Sequence, residues 1–229
     1  MRNLPTVTKH LLLIDLGVWL LDSTLQVDGS HLTQWLGFWD VRSPFFHVWQ
    51  PLTYMFMHAN FSHIFCNMFA VLMFGAALER EWGSKRFLTY YLICGVGAAI
   101  VQQLIWLWTG GAVTIGASGA VFGILLAFGW LFPEVRMFLL FLPIPIRART
   151  FVLLYAAFEL MAGMYGASWD NVAHFAHLGG MLFGLLVILW WQYVQPKLNQ
   201  IQWPWQKHQT LNSAKDKDYS GYHYRRNVE

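Results

Sequence analysis

Six near-continuous apolar segments, at about residues 10–27, 51–78, 87–108, 118–132, 150–166 and 172–195, constrain the fold of this chain more than any other feature. Most reach the ~20 residues that an α-helix needs to cross a ~30 Å hydrocarbon core. A backbone in lipid must satisfy its own N–H and C=O groups, so segments of this kind fold as helices. With 56% hydrophobic and 12% charged residues, the 229-residue chain has too little charge to cover a soluble domain of its size. The expected architecture is an all-α polytopic membrane bundle of six transmembrane helices over residues 1–195, followed by a flexible polar tail over 196–229.

The opening Arg2 and Lys9 precede a Leu-rich run as in a secretory leader, but no small-residue cleavage pattern follows Asp22. The run therefore reads as the first span. Basic residues fall at Arg2 and Lys9, at Arg80, Lys85 and Arg86, at Arg136, Arg147 and Arg149, and at six positions from Lys197 to Arg226. Arg42 stands alone among the alternate connections, so the positive-inside rule places both termini in the cytoplasm. The net charge of +3 is spread over these loops and the tail and implies no nucleic-acid partner. Cys66 and Cys94 lie in predicted spans without metal-knuckle or disulfide spacing and read as packing residues.

Polar groups at depth in a bilayer are costly and mark functional sites. Ser118 begins the fourth span within Gly116-Ala117-Ser118-Gly119, while the second span carries His58, His63 and Asn67 and the sixth carries His174 and His177. At ~1.5 Å of rise per residue, Ser118, His63 and His177 stand roughly 21, 24 and 22 Å from the cytoplasmic ends of their helices. Three helices thus bring possible reactants to one layer, below the external surface, where hydrolysis needs a water-filled recess.

The chemistry follows from residue type. A serine hydroxyl becomes a nucleophile when a base takes its proton, and histidine, titrating near neutrality, is the usual base. Ser118 and His177 form that pair, and the Ser118 backbone N–H, at a helix start, is a candidate oxyanion donor. His63 and Asn67, four residues apart on one face, can add side-chain donors. At 100° per residue His58 is rotated away from His63. Gly116 and Gly119 permit a tight turn and close approach. Phe122, one turn after Ser118, is available to pack on the imidazole. Asp170 is one turn before His174, and Asp15, Asp22 and Glu159 have no sequence reason to approach His177, so a Ser-His dyad is expected.

Taken together these motifs resemble the rhomboid family of intramembrane serine proteases over about residues 45–185. The family's GxSG is matched by Gly116-Ala117-Ser118-Gly119, its HxxxxHxxxN by His58, His63 and Asn67, and its HxxGxxxG by His177, Gly180 and Gly184. Its glycine-glutamate-glycine pattern is matched by Gly75, Glu79 and Gly83. The resemblance implies nucleophile Ser118, base His177, an oxyanion hole of His63, Asn67 and the Ser118 N–H, water access from the external side, and single-span membrane proteins as substrates. It also selects His177 over His174, because Gly180 and Gly184 form a small-residue seam that draws the sixth span to the fourth. Where the family often has Trp-Arg before the second span, this chain has Trp49-Gln50, which puts the anchoring of the external loop in question.

Other readings compete. Gly-Ala-Ser-Gly alone is the usual mark of close helix packing, and a lone intramembrane histidine usually bonds between helices. A metal enzyme or transporter using His58, His63, His174 and His177 lacks a His-Glu-x-x-His motif, and few carboxylates lie near these histidines. A catalytically inactive relative that binds transmembrane helices would tolerate loss of Ser118 or His177, and both are present. The expectation is an intramembrane serine endopeptidase with no cofactor and no metal, whose partners are transmembrane substrates and membrane lipid. Short loops without an added domain suggest a bacterial inner membrane.

Overall fold

The computed structural model describes residues 4–24, 32–139, 142–165 and 173–196. The start of the first external connection, the connection that holds Asp170, and the expected tail lie outside these ranges. The chain divides into two compact units, Met1–Ile188 and Leu189–Glu229. The described part of the second contains a π-helical turn, Trp190–Val194.

The helices are α1 (Thr6–Thr24), α2 (Leu32–Leu36), α3 (Gln50–Thr53), α4 (Phe61–Ala70), α5 (Ala76–Trp82), α6 (Ser84–Thr109), α7 (Ser118–Leu131), α8 (Ala148–Tyr165) and α9 (His174–Leu189). A π-helical turn, Val71–Gly75, joins α4 to α5. Among the described residues, Phe61–Trp82, Ser84–Thr109 and His174–Val194 are long and apolar enough to cross a membrane, and Ser118–Leu131 is a shorter apolar helix. Helices α1 and α8 are span-length or nearly so, but Lys9, Asp15 and Asp22 in the first and Arg149 and Glu159 in the second dilute their apolar character.

Helix α7 is central because of its composition. Its sequence is apolar on every side and rich in Gly and Ala, which suits a helix surrounded by others. It packs against α4, α6 and α8, and ten of its fourteen residues are buried. The outer helices instead turn Leu104, Leu153, Leu154, Phe158 and Leu186 outward, as lipid-facing surfaces require.

Glu79 ties the first helix to the bundle. Its carboxylate accepts from the backbone N–H groups of Val7 (2.8 Å) and Thr8 (2.7 Å), from the Thr8 hydroxyl (2.8 Å) and from the Ser84 hydroxyl (2.6 Å). The first N–H groups of a helix have no internal acceptor, and a carboxylate there also meets the positive end of the helix dipole.

Two small sheets depart from an all-helical expectation. Strand β1 (Phe38–Trp39) pairs antiparallel with β2 (Val113–Thr114), and β3 (Arg136–Leu139) pairs with β4 (Leu142–Arg147). Pro143 and Pro145 lack the N–H groups a helix needs, which keeps β4 extended. The first pairing matters more: β2 leads directly into the Ser118 turn, so the loop between α1 and α4 is stitched to the chain entering that turn.

The loop is anchored without the arginine of the Trp-Arg pattern. Fully buried Gln50 donates from Nε2 to the carbonyls of Phe45 (2.8 Å) and Gln34 (3.2 Å), and its Oε1 accepts from Trp39 N–H (3.3 Å). Arg42 pairs with Asp40 and also donates to the Trp106 carbonyl near the end of α6. The hydrogen bond from the Arg42 side chain to Asp40 holds this carboxyl well below the usual carboxylate range.

Candidate active site

The turn before α7 sets the site. Gly116 has φ +118°, a backbone region that L side chains rarely adopt, and its N–H donates to the Tyr54 carbonyl at 2.9 Å. The His63 ring fills the space beside its Cα, and Asn67 Nδ2 stands 3.8 Å from where a Cβ would lie. The second span is thereby brought onto the serine turn. Ser118 follows as the first residue of α7, so its N–H has no acceptor within the helix.

Helix α9 reaches the serine because α7 and α9 approach backbone to backbone. A Cβ on Gly180 would collide with the carbonyl of Gly119, and one on Gly119 would meet Ala98 on α6. One turn further, Gly184 lies against Tyr90 and Cys94 of α6. At this separation Ser118 Oγ and His177 Nε2 stand at hydrogen-bond distance, 2.8 Å. Phe122 stacks on the His177 ring with centroids 4.2 Å apart and planes at 9°. The imidazole is thus fixed in plane by an aromatic face and in direction by a hydrogen bond.

The oxyanion candidates have defined donor states. Ala59 N–H donates to His63 Nδ1 at 3.4 Å, which in the neutral ring leaves the proton on Nε2, the nitrogen beside the serine turn. Asn67 Nδ2 uses one N–H on the His63 carbonyl at 3.1 Å, and an amide nitrogen carries two.

His58 stands elsewhere. It precedes the start of α4 at Phe61, so helical phase does not govern it, and its ring lies edge-on to His63 with centroids 4.9 Å apart instead of pointing away. Behind it, buried Asp15 of α1 places Oδ1 3.7 Å from His58 Nδ1.

The expectation that no carboxylate approaches His177 is overturned. Glu159 of α8 places Oε2 2.9 Å from His177 Nδ1 and 2.7 Å from His174 Nδ1. Its signal in the sequence was its own presence in an apolar span, on the stripe with Val152 and Tyr155 opposite lipid-facing Leu154 and Phe158. His174 thus belongs to the same cluster without touching the serine. The donor atoms of Glu159, His174 and His177 all lie within 4.8 Å of one another. The two Nδ1–Oε2 separations, 2.7 and 2.9 Å, are hydrogen-bond distances.

A family model described as the Rhomboid domain matches residues 46–193. The chain is 34% identical over 189 residues to Rhomboid-like protein 11, chloroplastic, of Arabidopsis thaliana, covering 78% of this chain and 62% of that protein. It is 33% identical to Rhomboid protein 1, mitochondrial, of Saccharomyces cerevisiae over 57% of this chain and 38% of the relative. It is 31% identical to Presenilin-associated rhomboid-like protein, mitochondrial, of Bos taurus over 58% and 35%. The matches span less than two thirds of these relatives' lengths. The compartments in their names are chloroplast and mitochondrion, which do not fit a bacterial inner membrane; a membrane protein is what stands. The matched residues contain the serine turn, the second-span motif and the α9 motif, and the chain belongs to the rhomboid family.

Proposed function

We propose that this chain is an intramembrane serine endopeptidase that cuts single-span membrane proteins in or near their transmembrane helices. The observation that carries the proposal is the 2.8 Å hydrogen bond between Ser118 Oγ and His177 Nε2. In this reading Ser118 Oγ attacks the scissile carbonyl carbon as His177 Nε2 takes the hydroxyl proton. The tetrahedral oxyanion is met by the Ser118 N–H, His63 Nε2–H and Asn67 Nδ2–H. Collapse breaks the C–N bond, His177 returns its proton to the leaving amine, and an acyl-serine remains. Water then attacks the ester, giving one proton to His177 Nε2, which passes it back to Ser118 as the acid product leaves.

The membrane domain in this proposal is the six-helix bundle of residues 1–195, with both termini in the cytoplasm, the site opening externally, and 196–229 a cytoplasmic tail. Bilayer lipid and transmembrane substrates are its partners.

The test is cleavage of a tagged single-span reporter with a small-residue-rich helix by purified protein in detergent. Wild type is compared with Ser118→Ala and His177→Ala, with and without chelator. The serine reading expects chelator-resistant cleavage that both substitutions abolish. Chelator-sensitive cleavage, or activity retained in Ser118→Ala, overturns it, and an inert wild type on several reporters favours a helix-binding role instead.

A further inference from the structure

We infer that Glu159 is the positioning carboxylate of His177, so that the site works as a Ser118–His177–Glu159 relay with His174 as a second clamp on the carboxylate. The inference rests on the serine-protease reading and deepens it. Its basis is the pair of contacts from Glu159 Oε2, to His177 Nδ1 at 2.9 Å and to His174 Nδ1 at 2.7 Å.

An ionised carboxylate can only accept, so both imidazoles present Nδ1–H to it. For His177 this choice is decisive. With the proton on Nδ1, the Nε2 lone pair faces the Ser118 hydroxyl and can take its proton; with the other tautomer the ring could not act as a base. When Nε2 accepts that proton, an imidazolium forms on a residue that is only 8% exposed. An unpaired charge there would be costly, and a carboxylate within hydrogen-bond distance offsets that cost.

The surroundings of Glu159 argue that it is held for this purpose. Its residue is 2% exposed, on the inward stripe of a helix whose outer face is otherwise apolar. A buried carboxylate needs donors, and His174 supplies the second one. The His174 and His177 rings stand at 86° to each other with centroids 6.4 Å apart, so they reach the shared oxygen from different directions. Held by His174, the carboxylate fixes the direction of Nδ1–H while Phe122 fixes the plane of the same ring. Glu159 touches neither serine nor substrate and acts through His177.

The experiment uses the full-length protein in detergent, with reporter kinetics for wild type, Ser118→Ala, Glu159→Gln and Glu159→Asp. It adds thermal unfolding and, with His174→Ala as a further variant, the proton NMR spectrum of protein carrying 15N-labelled histidine. The expected result for Glu159→Gln is a fall in kcat of roughly 10²–10⁴-fold with KM within about twofold, the pattern of a lost base orientation. Glu159→Asp keeps the charge and recovers part of the rate. The wild type shows a strongly downfield imidazole N–H proton that persists in His174→Ala and is lost in Glu159→Gln, which assigns it to the bond from His177. Wild-type kcat in Glu159→Gln, or no downfield proton in wild type, overturns the inference. Should Glu159→Gln fail to fold, the wild-type resonance and the Glu159→Asp kinetics decide the matter. An inert wild type or an active Ser118→Ala defeats the protease reading itself, and the resonance then separately reports whether the Glu159–His177 bond exists.

Discussion

The carbonyl of Gly119 occupies the space in which a Cβ on residue 180 would stand. Helices α7 and α9 can be this close only while residue 180 lacks a side chain, and the Ser118–His177 contact depends on that closeness. Gly180→Ala sets a methyl against backbone, which cannot rotate away, so α9 must move. The substitution is expected to cost about 1–3 kcal/mol through overpacking and to remove most reporter cleavage. Thermal unfolding and kinetics check it, and undiminished activity would show that the seam does not set the site.

Phe122 lies nearly parallel to His177 on the face of the imidazole. Phe122→Leu keeps an apolar side chain but loses the ring. A stacked aromatic pair contributes ~0.5–1.5 kcal/mol beyond its buried area, so kcat is expected to fall about 2- to 12-fold with little change in KM. An unchanged kcat would mean the hydrogen bonds alone orient the base.

Glu79 accepts the first backbone N–H groups of α1. Glu79→Ala strands them in a buried place and removes a favourable charge from the helix N-terminus. The expected loss is about 2–4 kcal/mol of stability. Guanidinium or thermal unfolding in detergent measures it, and a loss under about 0.5 kcal/mol would indicate that water replaces the carboxylate.

The loop between α1 and α4 carries a pH dependence whose sign is determined by Asp40. The hydrogen bond from Arg42 lowers its folded-state pKa. A carboxyl lowered in this way contributes stability that is present above its unfolded pKa of about 3.9 and is lost as pH falls through the folded value. The loop is therefore expected to loosen below about pH 4. Asp40→Asn should flatten that dependence. Trp fluorescence of wild type and variant between neutral and acid pH tests it, and identical profiles would remove the Asp40–Arg42 pair from the account.

Much of the architecture was legible in the sequence for local reasons. Gly116 and Gly119 read as turn residues, and the turn into Ser118 does hold Gly116 at a positive φ beside the His63 ring, whereas the central place of α7 comes from its neighbours in the fold. Ser118, His63 and His177 are expected at one depth because rise per residue converts chain position into height. Depth says nothing about rotation of one helix against another. Glu159 lies 18 residues before His177 on a different helix, and only the packing of α8 and α9 turns its carboxylate onto Nδ1. The same holds for His58, whose position before α4 freed it from helical phase, and for Gln50, whose side-chain amide bonds four partners across the folded loop. The chain by itself determined the apolar segments, the turn and the motif residues, since spacing, hydrophobicity and steric limits act locally. Tertiary structure decided which face of each helix meets which neighbour, because that depends on side-chain shapes meeting across helices distant in sequence.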